Sequence, residues 1–173
     1  SPEFLKLSTT QQKIIENELR DFRLGGAELP DQEKARFKEI QEALSKVTTK
    51  FEENLMDTVN DYAHFVEDIS ALKGLPEDAI EAAKIDGRTG YKFTLHFPSY
   101  MPVLQYSENR ELRALLYRAY ATRASEFGKA EWDNTPLISE ILKLRLEAAK
   151  MLGYKNYAEM SLATKMADSP TDV

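Results

Sequence analysis

The chain has 173 residues, a length that fits one domain better than two. Apolar residues make up 42% and charged residues 30% of the sequence, which is typical of a globular domain and not of a disordered tail. The net charge of −6 argues against nucleic acid as a partner, because phosphate binding depends on clustered Lys and Arg. No window approaches the roughly 20 apolar residues of a membrane span. We also expect no signal peptide, and the absence of cysteine fits a reducing, cytoplasmic compartment.

The two ends of the chain have distinctive sequences. Residues 1–4, Ser-Pro-Glu-Phe, resemble translated vector sequence, so we expect the protein's own part to be one helical segment, residues 5–173. At the other end, Ser169 and Pro170 are typical of the N-cap and first residue of a helix, and Asp172 suits the positive end of its dipole. A helix start with no helix after it predicts that the segment is truncated there.

The first part of the chain predicts two helices. Ser8 can cap the first helix, and the pair Gly25-Gly26 ends it. Pro30 and Asp31 begin a second helix, in which apolar residues recur every three or four positions. No Gly or Pro interrupts residues 31–73, so we expect one long helix of about 35 residues.

The middle of the chain contains the only convincing strand pattern. Four apolar residues alternate there with polar ones, which indicates a strand with one buried face. They are Tyr91, Phe93, Leu95 and Phe97. Pro98 and Pro102 cannot donate hydrogen bonds to a β-ladder, so the apolar run around them predicts an edge hairpin near residues 91–106 that packs on helices.

The last third of the chain returns to helical periodicity. Ser107 can cap a helix that runs to about Ser125, and Asn134 or Thr135 can cap the next helix, which Gly153 ends. A short final helix follows. The sequence therefore predicts an all-α, mainly helical fold with one long helix and one small β-hairpin.

Neither histidine lies in a recognisable catalytic motif. A zincin peptidase needs His-Glu-x-x-His, because two histidines one helical turn apart reach one metal ion while the glutamate activates water. This chain has only His64 and His96, on different predicted elements, and His64 with Glu67 would supply two ligands at most. A Gly-x-Ser-x-Gly nucleophile elbow is also missing. We therefore predict no catalytic residue, no metal ligand and no cofactor in this chain.

Several stretches together resemble the oligopeptidase A and thimet oligopeptidase family of zinc metallopeptidases, and especially its bacterial branch. The elements occur in family order from about residue 5 to residue 173. The matching stretches include Asp21-Phe22-Arg23-Leu24-Gly25-Gly26, Phe97-Pro98-Ser99-Tyr100-Met101-Pro102, Asn109-Arg110-Glu111-Leu112-Arg113, Tyr117-Arg118-Ala119-Tyr120, and Leu152-Gly153-Tyr154.

This resemblance implies a cytoplasmic endopeptidase that hydrolyses short peptides, built from two mostly helical lobes around a deep channel. The zinc motif of the family lies further toward the C-terminus than this chain reaches, so zinc belongs to the parent enzyme. The chain would then form scaffold and channel wall in the non-catalytic lobe and be inactive alone. The candidates for a channel or structural role are Tyr100, Arg110, Tyr117, Tyr120 and Arg123. For each of them we favour core packing or a salt bridge between helices.

An alternative is a stand-alone helical interaction module without enzymatic activity, which would dock through its long helix. Under the first interpretation, the partners are short peptides bound by the full-length enzyme and the remaining lobe of the same polypeptide. Exposed apolar surface drives association, so we expect the isolated segment to dimerise or exchange helices through the long helix at high concentration.

Overall fold

The protein is described by a computed structural model that covers residues 3–87 and 89–173. Within these residues helices dominate, which confirms the predicted fold class, and two short strands pair in a small antiparallel sheet. The strands are β1 (His64–Val66) and β2 (Tyr91–Phe93). The helices are α1 (Thr9–Leu24), α2 (Asp31–Asp61), α3 (Glu77–Ala83), α4 (Phe97–Tyr106), α5 (Arg110–Ala121), α6 (Thr135–Met151) and α7 (Tyr157–Leu162). Short 3₁₀ turns lie at Phe4–Lys6, Ile69–Leu72, Ala130–Trp132 and Pro170–Asp172. The vector-like residues Ser1 and Pro2 lie outside the described part.

The start of α1 is stabilised by a reciprocal cap. Ser8 accepts a hydrogen bond from the backbone N–H of Gln11, and the Gln11 side chain accepts one from the Ser8 backbone. Two backbone donors that the first helical turn leaves unpaired are thereby satisfied. The helix ends at Gly25, as expected, and the next residue, Gly26, adopts a φ of 81°.

The described chain forms two compact units, of which the first comprises the residues up to Thr48 together with Ile138–Val173. Its core joins one face of α2 to one face of α6. The buried members are Leu29, Phe37, Ile40 and Ala148. On the surface of this unit, Arg36 makes two parallel hydrogen bonds to Glu147, Nε to Oε1 at 2.7 Å and Nη2 to Oε2 at 2.9 Å. This bidentate geometry fixes one register of α2 against α6.

The second unit, Thr49–Leu137, contains the larger buried cluster. Its buried members lie between the 3₁₀ turn Ile69–Leu72 and helix α5. They are Leu72, Leu75, Ala83, Phe93, Leu95, Tyr100, Val103, Leu112 and Leu116. The isolated two-stranded sheet would be marginal in water, so its burial against α3 and α4 explains why it persists.

The β-hairpin is present in a different form from the one predicted. The partner of β2 is β1, with His64 opposite Phe93 and Val66 opposite Tyr91, and not the segment that follows β2. The predicted second strand within residues 91–106 is the helix α4. Since the two strands are far apart in sequence, no local turn pattern could have indicated their pairing.

Proline explains why residues 97–106 form a helix. Pro98 lies in the first turn of α4, where its missing N–H needs no partner. The N–H groups of Ser99 and Tyr100 both donate to the His96 carbonyl at 2.9 Å, which closes that first turn. Tyr100 and Val103, three positions apart, are the buried residues of the helix. Their burial outweighs the lost hydrogen bond at Pro102 inside the helix.

The long second helix is shorter than expected. α2 ends at Asp61 after 31 residues, and His64 lies in β1 instead of one turn before Glu67 on a helix. No glycine or proline marks this end. The backbone of residues 64–66 hydrogen-bonds to β2, and this tertiary pairing replaces the helical hydrogen bonds that a longer α2 would make.

Gly74 is the glycine whose replacement has the clearest expected cost. Its φ is +90°, and an added Cβ would overlap the carbonyl oxygen of Tyr106. We expect Gly74→Ala to lower the free energy of unfolding by about 2–4 kcal/mol, measured by urea denaturation. In Gly128→Ala the new Cβ meets only Ser125 O at an ordinary 3.5 Å, so we expect a change within about 0.5 kcal/mol. Equal stabilities of the two variants would contradict this account.

The Arg36–Glu147 pair predicts a pH-dependent contribution to stability. The hydrogen bonds from Arg36 lower the pKa of Glu147 below its ordinary value, against a smaller opposing effect of burial. Because the folded pKa is the lower one, the stabilisation is present above the ordinary pKa of about 4.3 and is lost as the pH falls through the folded pKa.

We therefore expect Glu147→Gln to be less stable than the parent protein at neutral pH. The difference should vanish in acid, where both states of the parent carry a neutral Glu147. Urea unfolding at several pH values measures this. The exposed Glu53 forms no salt bridge within the described residues, so Glu53→Gln serves as the control and should show no such trend. A pH-independent difference for Glu147→Gln would refute the assignment.

Candidate functional site

Four of the five candidate residues lie on helices α4 and α5, and Arg123 follows the C-terminal end of α5. Asn109 caps α5, since its Oδ1 accepts from the N–H groups of Glu111 and Leu112 at 3.1 Å. Its Nδ2 also donates to the Ala71 carbonyl at 3.2 Å, which ties the start of α5 to the preceding 3₁₀ turn. The apolar residues Leu112 and Leu116, four positions apart, face the core.

Three of the candidates form one stack. The rings of Tyr100 and Tyr120 are nearly parallel, with an interplanar angle of 12° and centroids 4.2 Å apart. The guanidinium carbon of Arg123 lies 3.3 Å from the centroid of Tyr120. Two groups at these distances cannot share one face of a ring, so Arg123 covers the face opposite Tyr100. We call Tyr100, Tyr120 and Arg123 the tyrosine stack.

The stack buries Tyr100 almost completely and changes its acid–base behaviour. Tyr100 is 5% exposed, and burial raises the pKa of its phenol. Tyr120 and Tyr117 raise the pKa further, while the positive charge of Arg123 opposes them. The hydroxyl is therefore neutral at physiological pH, which excludes Tyr100 as an ionised base.

The other two candidates are exposed. Tyr117 is 61% exposed yet lies close enough to Tyr100 to raise its pKa. Arg110 is the first residue of α5, and ten residues separate it from Tyr120, about 15 Å along the helix axis. The structure thus brings Tyr117 near the tyrosine stack and places Arg110 at the other end of the helix.

This arrangement offers surface for binding rather than a set of reacting groups. An exposed tyrosine ring can pack on an apolar side chain and its hydroxyl can hydrogen-bond to a peptide carbonyl, while Arg110 can attract a carboxylate. His64 lies in β1 and His96 is the N-cap of α4. Within residues 3–87 and 89–173, no three His, Cys, Asp or Glu side chains come together in a way that could hold a metal ion.

A buried polar pair in the second unit was not anticipated from the sequence. Asn54 and Asn134 are 2% and 3% exposed, and Asn54 Nδ2 donates to Asn134 Oδ1 at 2.9 Å. Asn134 Nδ2 in turn donates to the Phe51 carbonyl at 3.0 Å, which fixes the orientation of both amides. In the sequence, Asn54 occupies an ordinary position of a helical pattern. Its partner Asn134 is 80 residues away, so only the folded structure reveals the pair.

The length and apolarity of the described helices decide whether one of them could span a membrane. None of the helices in the described part of the chain is both long and apolar enough to cross a bilayer. This agrees with the sequence, in which no apolar run approaches the length of a membrane span.

Comparison with known proteins identifies the family. Residues 103–173 match the family model of Peptidase family M3. Over its whole length the chain is 48% identical to oligopeptidase A of Haemophilus influenzae, and over 98% of its length it is 43% identical to oligopeptidase A of Escherichia coli. A plant protein named probable cytosolic oligopeptidase A, from Arabidopsis thaliana, is 42% identical over 96% of the chain. The chain spans about a quarter of the length of these relatives, 25–26%.

The chain therefore belongs to Peptidase family M3. Within this family it corresponds to a segment of the oligopeptidase A and thimet oligopeptidase group, since similarity at 40–48% identity to five oligopeptidase A proteins extends over nearly all of its residues. The resemblance inferred from the sequence is confirmed.

The contact of Arg123 with the Tyr120 ring is expected to contribute measurably to stability. A double-mutant cycle of Tyr120→Leu and Arg123→Met, followed by urea unfolding, should give a coupling energy of about 0.5–1 kcal/mol. The cycle cancels the separate loss of the Arg123 hydrogen bond to the Tyr120 carbonyl. The matched pair Tyr117→Leu and Arg123→Met should be additive within about 0.5 kcal/mol. A coupling no larger than in this control would show that the ring contact contributes nothing.

Proposed function

We propose that the full-length protein is a zinc-dependent endopeptidase that hydrolyses short peptides in the cytoplasm, and that residues 5–173 belong to its non-catalytic lobe. The observation that carries the proposal is the similarity over the whole chain to several proteins named oligopeptidase A, of which the chain covers about a quarter. The plant relative named as cytosolic supports the location.

The residues of this chain do not fit a zinc site. A catalytic zinc ion requires three protein ligands, two of them supplied in this family by His-Glu-x-x-His. The only two histidines, His64 and His96, lie in β1 and before α4, and neither has the second histidine one helical turn away. We therefore assign zinc to the remaining part of the enzyme and derive no catalytic step from this chain.

The chain contributes scaffold and channel wall in this proposal. The tyrosine stack holds α4 on α5, and α5 then presents Tyr117 and Arg110 on its outer side. The exposed tyrosine would contact the side chains of a bound peptide, and Arg110 would attract the C-terminal carboxylate of a short one. A rigid wall of this kind admits short, extended chains and excludes folded proteins. The remaining lobe of the same polypeptide is the other partner.

The activity of the parent protein can be tested with a quenched fluorescent peptide library. The complete gene product should turn over short peptides, lose this activity with a chelator and recover it with zinc. The isolated 173-residue chain should show no chelator-sensitive turnover. A complete gene product that cleaves no peptide would overturn the proposed activity and favour the stand-alone interaction module, whereas zinc-dependent cleavage by the isolated chain would overturn the assignment of zinc to the other lobe.

The channel-wall role can be tested in the same full-length enzyme. We expect Tyr117→Ala to raise KM for short peptides about 3- to 10-fold with little change in kcat, since a wall contact is made equally in the ground and transition states. Tyr106→Ala, at an exposed tyrosine on α4, is the matched control and should leave both constants unchanged. Identical KM values for the two variants would remove Tyr117 from the channel wall.

A further inference from the structure

Helix α1 presents its apolar side to solvent. Four large apolar residues lie on one side of it and are 38–63% exposed, while the better buried positions of the helix include the polar residues Gln12, Asn17 and Arg20. The exposed residues are Ile14, Ile15, Leu19 and Phe22. Together they expose apolar area on the order of 400 Å², comparable with the largest patch of a typical monomer, which is often functional. We call this surface the α1 face.

One acidic residue lies inside the α1 face. Glu18 is four residues after Ile14 and four before Phe22, so it lies between them on the same side of the helix. It is exposed and forms no salt bridge with the residues that the structure describes. Glu16, about 200° around the helix from Glu18, lies outside the α1 face. A complementary surface must therefore be apolar and carry positive charge.

Such a surface exists between α6 and α7, also in the first unit. A groove of about 570 Å³ is lined there by apolar residues that include Leu142, Leu146 and Leu162. Its charged lining side chains are Arg145 and Lys165, and none of its lining side chains is acidic. Val173 also lines it and carries the terminal carboxylate of the 173-residue chain. We call it the α6–α7 groove.

Both cations of the groove lack an acidic partner. The guanidinium of Arg145 lies 4.7 Å from the centroid of the Tyr157 ring, and Lys165 Nζ donates to Ser161 Oγ at 2.7 Å. Neither forms a salt bridge within the described part of the chain. The groove therefore combines its apolar lining with two positive side chains and one terminal carboxylate, an excess of positive charge that favours an apolar, acidic segment in a protein with a net charge of −6.

We propose that the isolated chain forms a two-fold symmetric dimer in which the α1 face of each copy binds the α6–α7 groove of the other. Both surfaces are apolar, and Glu18 offers a negative partner to Arg145 and Lys165. Two reciprocal contacts, each burying on the order of 400 Å² on either side, would bury about 1,600 Å² in total, the area of a specific protein–protein interface. Because each copy uses both of its surfaces on the same partner, no surface is left for a third copy and the assembly ends at two.

Sedimentation equilibrium of the 173-residue chain tests this arrangement. Leu19→Asp in the α1 face and Leu146→Asp in the groove should each raise the dimer dissociation constant at least about tenfold, because each buries a charge in both contacts. The mixture of the two variants is the decisive sample. Each pair of unlike copies retains one intact contact, so the mixture should associate more tightly than either variant alone. Circular dichroism confirms that both variants keep their helices.

Charge reversal provides the matched control. Glu18→Lys should weaken the dimer about three- to tenfold, Glu16→Lys should not, and Lys165→Glu added to Glu18→Lys should restore association. A mixture of Leu19→Asp and Leu146→Asp that associates no better than its components would overturn the pairing of α1 with the groove. A monomer at all concentrations into the millimolar range would overturn the dimer itself and leave both surfaces to another part of the full-length protein.

Discussion

The stacking of Tyr100 on Tyr120 is the contact on which the second unit most depends. α4 has ten residues and contains Pro102, so its own hydrogen bonds cannot maintain it in isolation. The ring of Tyr100 and the side chain of Val103 bury one face of this helix in the cluster that also contains Leu112 and Leu116 of α5. The same cluster covers Phe93 of β2, so the two-stranded sheet depends on α4 as well as on α3 and α5.

This dependence separates the candidate residues into two kinds. Tyr100 and Arg123 both contact the ring of Tyr120, so we expect replacement of any of the three to disturb the packing of α4 on α5. Tyr117 and Arg110 are exposed on α5 and are free to contact a peptide in the proposed channel. For all five positions we favour core packing or a salt bridge between helices, and this preference stays a prediction. For Tyr117 and Arg110 the role in a channel stays a prediction.

The proposed division of labour in the parent enzyme follows from the chemistry that this chain contains. Its charged groups form exposed ion pairs such as Arg36–Glu147, and the shifted pKa values of that pair reflect hydrogen bonds between partners in a surface contact. A peptidase site needs groups whose pKa values are shifted by burial in a cleft. The proposal therefore gives this chain the part of a scaffold with binding surface. The chain also exposes two apolar surfaces, the α1 face and the α6–α7 groove.

The sequence by itself determined the helical class, the cap at Ser8, the starts of α2 and α6, and the family. These features depend on local patterns or on similarity along the chain, which a single sequence displays directly. The tertiary structure alone decided that α2 stops at Asp61, that β1 pairs with β2, and that residues 97–106 are helical. It also decided the Asn54–Asn134 pair. Some of these features join residues that are distant in sequence. In the others, the free energy of burial overrides a local conformational preference. Burial depends on neighbours in space, which local sequence patterns do not specify.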